Sequence, residues 1–457
     1  MPASNTEATG DGLPIPRRWW AIVAISFGTA LTVIDSAVAN VALPTIARDL
    51  GVDSGAVTNV VTVYQLVLVM GLLPFASLGE RMGSRRLYQR GQMLFIVASG
   101  LCLFADNLPL LLGLRAFQAV GAGMVLSVSS AMIRQIYPAA RLGTGLGVNS
   151  VIVASSYALG PTAGGFIVTH LPWVWVFVAA VPLGLVSLLL GRTLPDPIRR
   201  DTRPEWLSGG WTALTMLLLI GGVQVGTHGS LAAGIAAGVA GLVSAVLLVR
   251  REAGRAEPVV PVDLLRRPVI GLSALASLFA FTATAGILLT LPFRLEEVFD
   301  YPPQTVGLLV LPWPLTLLVV SPLAGWLSDR VAATKLGVTG MALAIVGLLL
   351  LAFMPMDAGA VGIGWRLALS ALGFGLFIAP NSRLMIARSP RERAAAAGGM
   401  LSTARLLGQT TGAVTGGILL AGGIGTGAAP MLLGCGLAAV AALCSVARFR
   451  SVRGATP

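Results

Sequence analysis

"ASLGERMGSRR" (residues 76–86) returns 249 residues later as "GWLSDRVAATK" (325–335). Both copies close a long apolar run and set an acid, Glu80 or Asp329, directly before an arginine, Arg81 or Arg330. Two further landmarks recur at nearly the same spacing. "LGPTAGG" (159–165) reappears as "LGQTTGA" (407–413), 248 residues on, and Arg115 and Arg366, 251 apart, each open a glycine-rich run. Three landmarks at almost one offset predict a chain built from two homologous halves.

Composition fixes the solvent in which those halves fold. The 457 residues are 55% hydrophobic and only 11% charged, with a mean hydropathy of +0.84. Ordinary soluble domains carry roughly 25% charge. A water-soluble fold cannot cover so much apolar surface, so the lipid bilayer is the expected partner. A net charge of +12 invites a nucleic-acid reading. Distribution excludes it, because the basic residues lie in short clusters between apolar runs rather than on one soluble face. Cys102, Cys435 and Cys444 fall inside apolar runs, too scattered for a disulfide framework or a zinc site. His170 and His228 are too far apart to build a metal centre, and no Walker phosphate loop is present. No cofactor or metal is expected. The first apolar run continues too long for a cleavable signal peptide.

Each crossing of a bilayer takes about 20 predominantly apolar residues. Such runs lie near 19–42, 55–76, 87–105, 109–132, 142–168, 172–194, 206–227, 230–249, 268–292, 305–327, 336–355, 361–386, 396–421 and 429–448. Lipid leaves no partner for unpaired backbone groups, so these fourteen runs are expected as helices. With the N-terminus inside, cytoplasmic segments hold 26 of the 31 Lys and Arg; external loops hold Arg48 and Arg294, and Arg115, Arg366 and Arg405 lie in or near spans. The expected organisation is a cytoplasmic tail (1–18), a six-helix bundle (19–194), a two-helix insert (206–249), a cytoplasmic linker (250–267), a second six-helix bundle (268–448) and a cytoplasmic tail (449–457).

"GERMGSRR" after the second run resembles the cytoplasmic loop signature of the major facilitator superfamily. "GVNSVIVASSYALGPTAGG" in the fifth is similar to that superfamily's antiporter motif. "IDSAVANVALP" at the end of the first resembles its fourteen-helix drug:proton antiporter branch. The resemblance covers essentially the whole chain. It implies an all-α polytopic membrane protein of that fold, with two six-helix bundles and two additional transmembrane helices. It also implies a multi-pass protein of the cytoplasmic membrane, handling small hydrophobic or cationic molecules and protons, and no enzyme. A monomer is expected. Two departures stand out: Glu80 takes the place of the usual Asp, and Ala76 that of the usual Gly, while the second copy keeps Gly325 and Asp329.

Asp35 is the acid that sits well inside a span. A carboxylate at the bilayer centre costs about 2.5–3.5 kcal/mol on insertion scales, and intramembrane acids are functional by default. Burial favours its neutral form and a nearby cation its charged form, so a change of exposure can change its protonation. The alternative is a helix-end acid reaching the outer headgroups. In the family this position contributes to proton coupling and cation recognition. Arg115 matches the family's helix-four arginine, implicated in proton relay; the alternative is a residue snorkelling to the outer interface. For Arg366 and Arg405 the structural reading is preferred.

Pro161 cannot donate its backbone hydrogen bond, so the fifth helix is expected to bend there. Gly160 and Gly164 share one face and permit close helix approach, as do Gly143 and Gly147 at the helix start. With Ser156 and Gly165 they compose the antiporter motif, read as a seam that holds the halves together at one end and parts during rocking. In the loop motif, Glu80 and Asp329 are expected to cap neighbouring helix N-termini, while Arg81 and Arg330 pair across the halves. Gly83 and Arg85 complete that loop. Simple membrane anchoring would serve as well for Arg85. Tyr64, Gln65, Gln118, Asn149, Asn381 and Gln409 are polar residues within spans and candidates to line a cavity.

These residues together point to proton-driven efflux of hydrophobic, cationic compounds by alternating access. The alternatives are an exporter of a dedicated metabolite, a passive facilitator or importer, and a membrane-embedded enzyme or scaffold. An enzyme would want a clustered His, Cys or acidic constellation, and the sequence offers none.

Overall fold

The structure, a computed structural model, describes residues 12–52, 54–195, 206–222, 225–226, 230–255 and 258–453. His228 lies outside them. Among the described residues every regular element is helical. The principal helices are α1 (Arg17–Asp49), α2 (Asn59–Met82), α3 (Ser84–Leu101), α4 (Leu108–Ile136), α5 (Leu142–His170), α6 (Val181–Leu190) and α7 (Trp206–Met216). They continue as α8 (Leu231–Glu252), α9 (Pro268–Glu297), α10 (Pro312–Ser328), α11 (Ala333–Ala352), α12 (Ala360–Arg388), α13 (Ala394–Ala421) and α14 (Ala429–Arg453). A 3-10 turn, Trp173–Phe177, precedes α6, and a π-helical turn, Leu217–Gly221, extends α7. By length and composition, ten helical segments among the described residues can cross a membrane.

Local chemistry sets several boundaries. Asn107 caps α4 by accepting from the Leu110 amide at 2.9 Å. Gly83 separates α2 from α3 at φ +96°, a left-handed conformation that a side chain rarely adopts. Prolines sit inside α1 (Pro44), α2 (Pro74), α9 (Pro292), α10 (Pro322) and α12 (Pro380). Membrane helices tolerate them because neighbouring helices re-satisfy the freed backbone.

Packing reproduces the repeat. In the first half α1 packs on α5 and α6, and α4 on α2 and α3; in the second α9 packs on α13 and α14, and α12 on α10 and α11. Across the halves α5 meets α10 and α12, just as α13 meets α2 and α4. Helix α7 lies against α2, and α8 packs on α7 and its π turn. An apolar groove remains between α2 and α7, bordered by Phe75, Gly210 and Trp206, with Arg81 at its end.

The surface is apolar and the polar groups are inside, the inverse of a soluble protein. Leu189, Val361, Phe104 and the α8 row Val239, Leu242, Val243 and Val246 are exposed, whereas Asp35, Arg115, Gln118 and Asn381 are buried. Trp19, Trp20 and Trp206 are exposed near the arginine-rich end, as membrane-interface aromatics are. The two halves share one hydrophobic core at that end, where Ile133, Ile136 and Leu142 join Met385, Ile386 and Ala396. Toward the opposite end each half has its own core: Val38, Ile46 and Phe177 in the first, Leu291, Trp313 and Met431 in the second. Arg294, expected in an external loop, is instead buried in the last turn of α9. The helix continues past Pro292, and the guanidinium donates to the Ala352 carbonyl at 2.9 Å and to the Met431 sulfur.

Candidate functional site

The intramembrane acid is paired. Arg115 Nη1 donates to Asp35 Oδ2 at 2.7 Å, and both side chains have no exposed surface. Helix α1 supplies Asp35. One face of α4 supplies Arg115 and, three residues on, Gln118, a spacing that brings side chains together on a helix. Gln118 is a second bridge: its Oε1 accepts from Arg115 at 2.8 Å, and its Nε2 donates to Ser99 Oγ at 2.7 Å and to Asp35 Oδ1 at 3.5 Å. Arg115 Nε donates to the Val60 carbonyl at 3.2 Å. Its guanidinium lies 4.2 Å from the Tyr64 ring centre and 5.1 Å from that of Phe177. Aromatic faces attract a cation, most strongly when it is desolvated. Arg115 is therefore held by Gln118, a carbonyl and two rings besides Asp35. Asp35 depends on Arg115 and Gln118. Neither snorkels to a headgroup.

The remaining polar candidates divide. Tyr64 and Gln118 belong to this cluster. Gln65, next to Tyr64, is exposed, and Gln409 is half-buried. Asn149 is half-buried on α5 and accepts from Thr29 Oγ1 at 3.3 Å. Asn381 is buried in the second half, where it donates to the Ser273 carbonyl at 2.9 Å and to Ser277 Oγ at 2.8 Å and accepts from Arg448 at 2.7 Å. Arg366 stays local to α12, donating to the Gly362 carbonyl at 2.7 Å. Among the described residues no three His, Cys, Asp or Glu side chains gather as a metal site would need.

At the arginine-rich end the two loop acids cross between the halves. Glu80, at the end of α2, accepts from the Ala396 amide at 2.8 Å in the first turn of α13, and from Arg393 Nη1 at 2.9 Å. Asp329, after α10, accepts from the Gly143 amide at 2.9 Å and from the Thr144 amide and hydroxyl at 3.0 and 2.9 Å, in the first turn of α5. Arg383 Nε also reaches Asp329 at 2.8 Å. Carboxylates at helix N-termini satisfy amides that have no intrahelical partner and meet the positive end of the helix dipole. Arg134 adds a reverse contact, donating from the end of α4 to Ser389 Oγ at 2.8 Å and the Ser389 carbonyl at 2.7 Å, past the last turn of α12.

Two expectations need correction. Arg330 does not reach across the halves; it lies over the Trp326 ring, 3.8 Å from its centre. Arg393 takes the cross-half bond to Glu80 instead. The glycines of α5 form two seams rather than one. Gly143 and Gly147 face Gly325, Ser328 and Pro322 of α10 across the halves, whereas Gly160 and Gly164 face Ala37, Val38 and Val41 of α1 within one half. Ser156 is buried, and Gly165 has open space where a side chain would go. Pro161 falls within α5, its side chain outside the described residues. Arg393 escaped the sequence reading because "RER" (391–393) looks like membrane anchoring. The available signal was Pro390, which stands 252 residues after Pro138 and opens the same kind of 3-10 turn before α13 that Pro138 opens before α5.

Sequence comparison matches the helical chain to the Major Facilitator Superfamily over residues 25–413 and 274–455. The chain belongs to the major facilitator superfamily. It is a multi-pass membrane transporter. The uncharacterized transporter YebQ of Escherichia coli (strain K12) is 40% identical over 442 residues, covering 96% of this chain and 97% of YebQ. The riboflavin transporter RibZ of Clostridioides difficile (strain 630) is 27% identical, covering 86% of each chain. The multidrug efflux pump LfrA of Mycolicibacterium smegmatis is 31% identical, covering 87% of this chain and 80% of LfrA.

Proposed function

We propose that this transporter exports hydrophobic, cationic compounds across the cytoplasmic membrane in exchange for protons, by alternating access. The observation that carries the reading is the sealed Asp35–Arg115 pair in the first half. The proposed topology has fourteen crossings, with the arginine-rich end and both termini in the cytoplasm, as the positive-inside rule favours. The joint core and the crossed caps then correspond to a state closed inside. The proposed active unit is a monomer.

In this state Arg115 occupies the Asp35 carboxylate, leaving no place there for a proton or a cationic substrate. Opening of the outer end admits water to the pair. Arg115 is retained by Gln118, the Val60 carbonyl and the Tyr64 and Phe177 rings, while Asp35 is released to accept a proton. Protonation removes the charge that attracts a cation, so substrate and proton compete for one carboxylate. The return swing parts α5 from α10 and α13 from α2, delivers the proton inside, and frees Asp35 to attract the next cation. With one proton in for one monovalent cation out, no net charge crosses and the pH gradient drives the exchange; a further proton would add about 2.3 kcal/mol per 100 mV of membrane potential. LfrA, described as a multidrug efflux pump, supports the direction of export.

The test is transport into or out of proteoliposomes under an imposed pH gradient, with a panel of lipophilic cations. Gradient-dependent movement is expected. Movement unaffected by collapse of the gradient contradicts antiport. A second reading is export of one flat, dedicated metabolite by the same machinery; the relative described as a riboflavin transporter favours it. Competition among panel members separates the two.

A further inference from the structure

Arg393 has two carboxylate partners, and they belong to different bodies. Nη1 donates to Glu80 at 2.9 Å, across the halves. Nε and Nη2 grip Asp263 as a fork, at 3.0 and 2.8 Å, and Nη2 also donates to the Pro258 carbonyl at 3.1 Å. Asp263 and Pro258 lie on the linker between the two-helix insert and the second half. That linker is built in. Glu252, at the end of α8 and fully buried, accepts from the Val259 amide at 2.7 Å. Val259, Val262 and Leu264 are buried, and the short helix Val262–Leu265 packs on α9. Since α9 is the main neighbour of α13, the helix that follows Arg393, Asp263 and Arg393 travel with the second half when the halves part. Glu80 travels with the first.

The consequence is a handover. A buried cation stripped of its only counter-ion is strongly destabilised. Arg393 is nearly buried, and a bidentate arginine–carboxylate fork is among the stronger polar contacts. Burial alone would lower the basicity of Arg393, but Asp263 and Glu80 together push it above the ordinary arginine range. We infer that Asp263 is a positioning residue of the cytoplasmic gate: it keeps Arg393 neutralised when Glu80 withdraws, and so sets how readily the inner end opens. The two carboxylates then have opposite effects. Glu80 favours closure; Asp263 favours opening. The insert and its linker thereby join the transport cycle.

This inference rests on the gate assigned above, and the experiment separates the two. Spin labels are placed on cysteines at the exposed positions Arg86 and Arg388, near the inner ends of α3 and α12, with Cys102, Cys435 and Cys444 replaced by serine. Distance distributions in nanodiscs give the fraction open inside, independently of any substrate. Asp263→Asn is expected to lower that fraction about fivefold or more, Asp263→Glu to restore it, and Glu80→Gln to raise it. Should Asp263→Asn not fold, Asp263→Ser is read in its place. If Glu80→Gln leaves the fraction unchanged, the gate itself is wrong. If Glu80→Gln opens the gate while Asp263→Asn leaves it unchanged or opens it too, the handover alone is overturned. A purely structural role for Asp263 would lower thermal stability without this reversal of sign.

Discussion

Arg115 and Asp35, 80 residues apart in sequence, meet at 2.7 Å where α4 crosses α1, both sealed from solvent. Two charges buried together owe their tolerance to each other, and removing one strands its partner. The loss on breaking such a pair is about 3–5 kcal/mol, whereas neutralising both sides together loses far less.

Stability should therefore show non-additivity. Arg115→Gln leaves a buried carboxylate with Gln118 as its remaining partner and is expected to lower the melting temperature in detergent most. Asp35→Asn should lower it less, because the guanidinium keeps Gln118, the Val60 carbonyl and two aromatic faces. The double variant should recover most of the loss without regaining coupled transport. Strict additivity of the two single effects would show that the residues do not act as a pair.

The second gate should respond like the first. Asp329→Asn weakens a charge-assisted cap on the first turn of α5, an interaction of about 1.5–3 kcal/mol. It is expected to increase the fraction of molecules open inside by roughly tenfold, read as faster labelling of a cysteine placed on the α5–α10 seam. Thr144→Val removes one of the three bonds from α5 to Asp329 and should move labelling in the same direction by a smaller amount.

The glycines of α5 should not be equivalent. A methyl on Gly143 would run into the Gly325 carbonyl, Ser328 and Asp329 across the halves, so Gly143→Ala should impair closure and depress transport at normal expression. Gly165→Ala points into open space and should transport like the parent protein. Gly164→Leu presses on Val38 and Val41, on the same helix that carries Asp35, and should abolish transport while insertion persists.

Much of this was written in the sequence because the membrane restricts what a chain can do. Apolar runs of bilayer length become helices, and three landmarks at one offset become two halves with matching helix contacts. The caps by Glu80 and Asp329 were legible too, since an acid at a helix end near another helix's free amides has little else to do. Contacts between distant segments were not. Arg393 joins residues 313 and 130 positions away, and no local pattern marks either bond. Arg294 was misplaced because the polar residues after Pro292 read as a loop, while tertiary contacts with α11 and α14 carry the helix on to Glu297. The division of the α5 glycines between α1 and α10 depends on the rotation of that helix, which glycine-rich sequence leaves undetermined.

The most direct test of the central claim is proton movement itself. A pH-sensitive dye is trapped inside proteoliposomes, and a transported lipophilic cation is added with no other gradient present. The parent protein should shift the internal pH as cation and protons exchange, and Asp35→Asn, matched for folded protein, should move no protons. A pH shift of undiminished size in Asp35→Asn would contradict the assignment of coupling to this carboxylate.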